Sequence, residues 1–234
     1  MSTPLTREER ERIIELAGAN PALCRLIEDD GELLPFLLKE VPGEVGERLR
    51  AEWYGHILGS LGDGCRIGPG VTMRVPERIH LAEGCSVEGQ VHLDARGAGI
   101  RIGAHTKVCF GSFLKDENAD GYIHVGAHSY IGDHSIIFGN RGVEIGDDVL
   151  AAPQMMIVPY QHIFASRDRL IREQGGLQEK VVIEDDVYLG MSVRVFYGVT
   201  IGRGAVVGAG SVVRKNIPPY AVAAGVPARI IRYR

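Results

Sequence analysis

Between Ile183 and Val213 the chain reads IEDDVYLGMSVRVFYGVTIGRGAVVGAGSVV, and every sixth residue is aliphatic: Ile183, Leu189, Val195, Ile201, Val207 and Val213. An α-helix repeats every 3.6 residues and a two-faced strand every 2, so neither alone imposes this period. A six-residue unit of one short strand and one corner does. The aliphatic residue points inward, a small residue four positions later (Ala205, Ser211) also faces in, and Gly or Asp after the aliphatic residue suits the turn. Three units close a triangle. Stacked triangles pair each strand with the strands above and below, so the backbone groups are satisfied between coils. The interior is then a narrow aliphatic column, where an unpaired charge would cost roughly several kcal/mol.

The same period extends back through much of the chain. Grouped in threes, the units give coils starting at Ile67 (irregular), Leu81, Ile102, Val125, Ile145, Ile183 and Ile201. The last two starts lie 18 residues apart, one uninterrupted coil. Ile145 and Ile183 lie 38 apart, so about 20 residues are inserted, over residues 159–180. A smaller insertion falls near Leu114–Tyr122. The 31 glycines in 234 residues, against only 11 prolines, fit a chain full of tight turns.

Before the repeats the grammar is helical. Thr6 and Glu9 have capping-box spacing, and Asn20-Pro21 reads as an N-cap followed by proline at the first helical position. Gly31–Val41 is an apolar segment interrupted by Pro35. Glu44–Gly62 reads as a further helix with Leu49, Trp53, Ile57 and Leu61 on one stripe. The expected organisation is an N-terminal helical region over 1–62, a mainly β repeat domain over 63–219 with its loop at 159–180, and a tail over 220–234.

A net charge of −4 argues against a broad nucleic-acid-binding surface. Cys24, Cys65, Cys85 and Cys109 are widely spaced, which fits reduced thiols and a cytoplasmic location better than a disulfide framework. The N-terminus shows no apolar signal core, and no uncharged run reaches membrane-spanning length, so membrane insertion is not expected.

The repeat, aliphatic-Gly-x-x-small-x, resembles that of the hexapeptide-repeat acyltransferases, over Ile67 to Arg232. Two further stretches sharpen the resemblance. The tail IGRGAVVGAGSVVRKNIPPYAVAAGVPARIIR (Ile201–Arg232) is similar to the last coil and CoA-binding tail of maltose and galactoside O-acetyltransferases and their polysaccharide-modifying relatives. IGDDVLAAPQMMIVPYQH (Ile145–His162) is similar to the run that ends, in that family, in a histidine opening an extended loop. Leu61–Gly89 also resembles the opening coils of polysaccharide acetyltransferases. The chain departs from the common pattern with Tyr188 where Trp is frequent and Met191 where Ser is frequent.

The resemblance implies a left-handed parallel β-helix, a homotrimer with active sites between subunits, and transfer of an acetyl group from acetyl-CoA to a saccharide or saccharide precursor. It implies His162 as the general base and Asn140 as a candidate acceptor or oxyanion contact. It maps donor contacts onto Met191, Ala209, Arg214, Lys215, Arg229 and Arg232. Independently of it, an imidazole suits proton removal near neutral pH, and the four basic residues suit the phosphates of CoA. Gly208, Ala209 and Gly210 would let a flat pantetheine arm approach the backbone.

Other chemistries also find residues to consider. His105, His128 and His134 each sit fourth in a hexad, but the spacings of His124, His128 and His134 do not match the triad of γ-carbonic anhydrases, so no metal is expected. Asp147, Glu184, Asp185 and Asp186 read as corner residues. N-acylation of an amino sugar or nucleotide sugar, and a non-enzymatic trimeric scaffold, remain alternatives to O-acetylation.

Overall fold

The structure, a computed structural model, describes residues 38–116 and 118–234. The expectations at Thr6–Glu9 and Asn20–Pro21, and most of Gly31–Val41, lie outside the described residues.

The repeat forms a three-faced parallel β-helix. Two faces carry seven strands and the second carries nine. Inward residues stack in register. On the first face Leu61, Leu81, Ile102, Val125, Ile145, Ile183 and Ile201 lie one above another, and Ile217 extends the column through an isolated bridge. The second face stacks Ile67, Val87, Val108, Ile131, Ala151, Leu189 and Val207. The third stacks Met73, Leu93, Leu114, Ile137, Ile157, Val195 and Val213. Nearly all of this column is sealed from solvent, as are the small residues Ala205 and Ser211.

Two details differ from the sequence reading. Ile67 does not start a coil; it belongs to the second face, and Leu61 holds the first-face position. The helix expected over Glu44–Gly62 spans Gly43–Gly55 (α1) and stops there. Its former last turn becomes the strand Ser60–Leu61, paired with His80–Leu81. Glycine explains the change. A Cβ on Gly59 would lie 2.5 Å from the Glu77 carbonyl oxygen, and one on Gly62 would lie 2.4 Å from the Glu83 nitrogen. The backbone of the first coil therefore packs against the second more closely than a side chain permits.

Corners are stabilised in two ways. Small inward hydroxyls bond carbonyls at the turns: Thr106 Oγ1 donates to Gly126 O (2.6 Å), Ser112 Oγ to Gly132 O (3.1 Å) and Ser129 Oγ to Gly146 O (2.9 Å). Outward carboxylates accept backbone N–H groups, from Ala127 to Asp147 (2.6 Å), Asp147 to Asp185 (2.9 Å) and Arg203 to Glu184 (2.7 Å). The acidic residues are thus corner residues with a defined task. His128 (φ 53°) and Asp148 (φ 56°) are left-handed, a conformation that costs non-glycine residues roughly 1–2 kcal/mol. Each donates its N–H to the coil below, to Ala104 O (2.8 Å) and Ala127 O (3.0 Å), which offsets that strain.

Helix α1 packs across the open end of the first coil. Leu49, Trp53 and Tyr54 are buried there, with Arg50 between them. Arg50 Nε donates to Ile67 O (2.7 Å) and its Nη1 donates to Leu38 O (2.9 Å) and Val41 O (2.7 Å). Burial lowers its pKa. At the other end, Ala221–Gly225 joins the second face and pairs antiparallel with Ala228–Tyr233, forming a tail hairpin. Cys65, Cys85 and Cys109 are free thiols within the fold. No helix among the described residues is long and apolar enough to cross a membrane.

Candidate active site

The insertion after the fifth coil leaves the third face at Val158 and is itself ordered. Tyr160–His162 pairs antiparallel with Gly176–Gln178, with Tyr160 opposite Gln178 and His162 opposite Gly176. Beyond the strands, the Gln174 side chain closes the loop: its Oε1 accepts from Ser166 N (2.9 Å) and its Nε2 donates to Ser166 O (3.0 Å) and Arg169 O (2.9 Å).

Several bonds fasten the hairpin root to the coils. Asn118 Nδ2 donates to Gln178 Oε1 (3.0 Å) and to Asn140 O (3.1 Å). Val181 N donates to Gly142 O (3.2 Å), and Lys180 Nζ sits 3.1 Å from the Glu144 carboxylate. The Tyr122 hydroxyl and the Lys180 ammonium hold the Glu144 carboxyl below its usual range.

His162 stands exposed near the end of the first hairpin strand. Its Nδ1 lies 2.8 Å from the Tyr160 hydroxyl, and the two rings meet edge to face at a centroid distance of 4.7 Å. Asn140 is half-buried in a turn and is tied to the hairpin root through its backbone carbonyl, by way of Asn118. The structure thus connects Asn140 to the element bearing His162, while the imidazole itself is bonded to Tyr160.

The expected donor contacts fall into groups. Arg214, Lys215 and Arg229 line one recess of about 330 Å³ beside the turn of the tail hairpin. Arg214 also borders a neighbouring slot of about 340 Å³, shared with Gln161 and Phe164 of the His162 hairpin, Phe196 of the third face and Val226 of the tail. Its guanidinium carbon lies 6.0 Å from the Phe196 ring centre. Met191 and Ala209 lie together on successive coils: Gly210 N donates to Met191 O (2.8 Å), and a Cβ on Gly190 would sit 2.6 Å from Ala209 N. Arg232 is carried on the outer strand of the tail hairpin, opposite Val222, and does not line the recess that gathers the other three basic residues. Tyr160, Phe164 and Phe196 were not singled out in the sequence. The one available signal was PYQH itself, where residues two apart on a strand share a face.

Two wider recesses lie elsewhere. One of about 590 Å³ on the first face includes His124, Glu144 and Arg203, and one of about 800 Å³ lies between α1 and the first coil. None of the expected site residues lines either. The histidines at corners do not converge: His105 stacks on His128 at 5.2 Å, whereas His134 meets Phe110 edge to face. Among the described residues one trio, Glu88, Cys109 and Asp133, has metal-ligand spacing. There the Lys107 ammonium already pairs with Glu88 at 2.5 Å.

Residues 180–215 match the family model described as hexapeptide repeat of succinyl-transferase. The chain is 40% identical over 111 residues to galactoside O-acetyltransferase of Escherichia coli, covering 47% of this chain and 53% of that protein. It is 36% identical over 115 residues to a probable acetyltransferase of Mycobacterium tuberculosis, covering 49% of this chain and 38% of that one. The chain thus spans about half or less of the length of these curated relatives. In fold it resembles a mutant of AntD, an N-acyltransferase from Bacillus cereus, solved in complex with dTDP and coenzyme A. That match has a TM-score of 0.58 at 20% identity and covers 78% of this chain and 88% of the other. Repeat, coils and matches together define a hexapeptide-repeat β-helix protein. Within that class, its sequence similarity runs to the acetyltransferases.

Proposed function

We propose that the chain is an acyltransferase that moves an acetyl group from acetyl-CoA to a hydroxyl of a saccharide or saccharide precursor. The observation carrying this reading is the slot in which Arg214, beside the basic recess, meets the hairpin that bears His162. Gln161 and Phe164, on either side of His162 in the chain, line that slot, so the segment carrying the base adjoins the phosphate-binding patch, the juxtaposition that direct transfer from a thioester requires. The basic recess holds the CoA phosphates through charge-assisted contacts, and Met191 and Ala209 flank the pantetheine arm.

In this reading His162 Nε2 takes the acceptor proton as the acceptor oxygen attacks the thioester carbonyl. The tetrahedral oxyanion then collapses, the carbon–sulfur bond breaks, and the imidazolium returns its proton to the departing CoA sulfur. Asn140 supplies a polar contact to acceptor or oxyanion from the hairpin root. No metal enters the scheme. The working unit is a homotrimer in the cytoplasm, in which a neighbouring subunit completes the cleft beside the hairpin.

A second reading keeps the same donor site and base but gives an amine of a nucleotide-linked amino sugar as acceptor. The likeness in fold to an N-acyltransferase solved with dTDP favours considering it. CoA release is to be measured across sugars, amino sugars and nucleotide sugars. With the best acceptor, His162→Ala is expected to lose about 10²- to 10⁴-fold in rate with its thermal midpoint unchanged. Undiminished turnover by that variant would rule out His162 as the base.

A further inference from the structure

We propose that Tyr160 is the positioning residue of the site, holding the His162 imidazole in the tautomer whose proton is on Nδ1. This rests on the reading of His162 as the general base. A base that acts through Nε2 must keep that nitrogen unprotonated, so the ring proton must sit on Nδ1. In this arrangement Nδ1–H donates to the Tyr160 hydroxyl oxygen, 2.8 Å away, and the lone pair on Nε2 remains for the acceptor proton.

The local backbone is built for this contact. Tyr160 and His162 lie two apart on one strand and so project to the same side. Their perpendicular rings, 4.7 Å apart, fix both the distance and the rotation of the imidazole. Opposite His162 the partner strand carries Gly176. A Cβ there would lie 2.3 Å from the Tyr160 ring and 2.6 Å from its hydroxyl oxygen. The tyrosine thus crosses the hairpin through a space that only glycine leaves open. The register behind it is set by Gln178, which faces Tyr160 and is held by the Asn118 amide.

The test uses the full chain labelled with ¹⁵N-histidine, with His162→Gln used to assign the His162 signals. In the wild type, long-range ¹⁵N–¹H spectra at a pH where the ring is neutral are expected to show Nδ1 protonated and Nε2 bare. Tyr160→Phe keeps the ring and removes only the hydroxyl, so the fold control is a thermal midpoint equal to wild type. This variant is expected to shift His162 towards the Nε2–H tautomer. It is also expected to lower kcat by about 10- to 100-fold with KM for acetyl-CoA unchanged. A His162 tautomer that is the same in both proteins overturns the proposal. A changed tautomer with unchanged kcat instead overturns the reading of His162 as the base.

Discussion

Asp116 is fully buried at the corner that closes the third coil, and its two carboxylate oxygens accept the N–H groups of Gly97 and Gly99, each at 2.7 Å. Burial raises its pKa above the ordinary 3.8, and the two backbone donors only partly oppose that rise. Because the folded value exceeds the unfolded one, the folded state binds this proton more readily. The favourable contribution is therefore complete below about pH 3.8 and is lost as pH rises through the raised folded value. Asn at this position does not titrate. The stability of Asp116→Asn relative to wild type is thus expected to improve as pH rises from about 4 to 7, by roughly 1.4 kcal/mol for each unit of elevation. Denaturant midpoints at several pH values check this; a relative stability independent of pH would show that the carboxyl titrates normally.

Among the elements, the decisive meeting is between the inserted hairpin and the tail, and Arg214 stands where they join. Arg214→Ala is expected to raise KM for acetyl-CoA by about 10- to 100-fold, the loss of one charge-assisted contact, with a smaller penalty at high salt. Initial rates at varied acetyl-CoA and ionic strength measure it, and an unchanged KM would remove Arg214 from the donor site. This convergence was not legible in the sequence, because Phe164, Phe196 and Val226 come from segments that meet only once the tail folds back. The coils were legible, since an interior one side chain wide admits one aliphatic residue per strand and prints the period directly. Leu61 was misassigned because Leu49, Trp53, Ile57 and Leu61 also satisfy a helical stripe, and glycine contacts between coils, invisible in periodicity, ended the helix at Gly55. Tyr160 was passed over because the insertion read as irregular, whereas Tyr160–His162 near its start form a strand.

At the scale of the whole molecule the three outer faces differ. Outward residues of the first face are mostly polar, including His80, Arg101, His124 and Glu144. Those of the third include Phe113, Ile136, Met156, Phe138 and Phe196, with Phe113 packed between His92 and Phe138. An apolar patch of this kind, on a face that also carries Arg74, Lys115 and Arg194, suits contact between subunits. Light scattering is expected to give about three times the 25.5 kDa chain mass, and Phe138→Glu to reduce it while Arg101→Glu does not. A monomeric wild type would defeat the trimer. The ends of the coil pose a separate problem, because a stack of parallel strands offers unpaired N–H and C=O groups to any other β-rich chain. Helix α1, bolted by Arg50 to the first coil, lies over one end, and the tail turns back at the other with Arg229 and Arg232 along its outer strand and Arg234 just past it. These are guards against fibre growth: a lid of helix at one end and a charged edge at the other keep a shape that could lengthen indefinitely as a discrete particle.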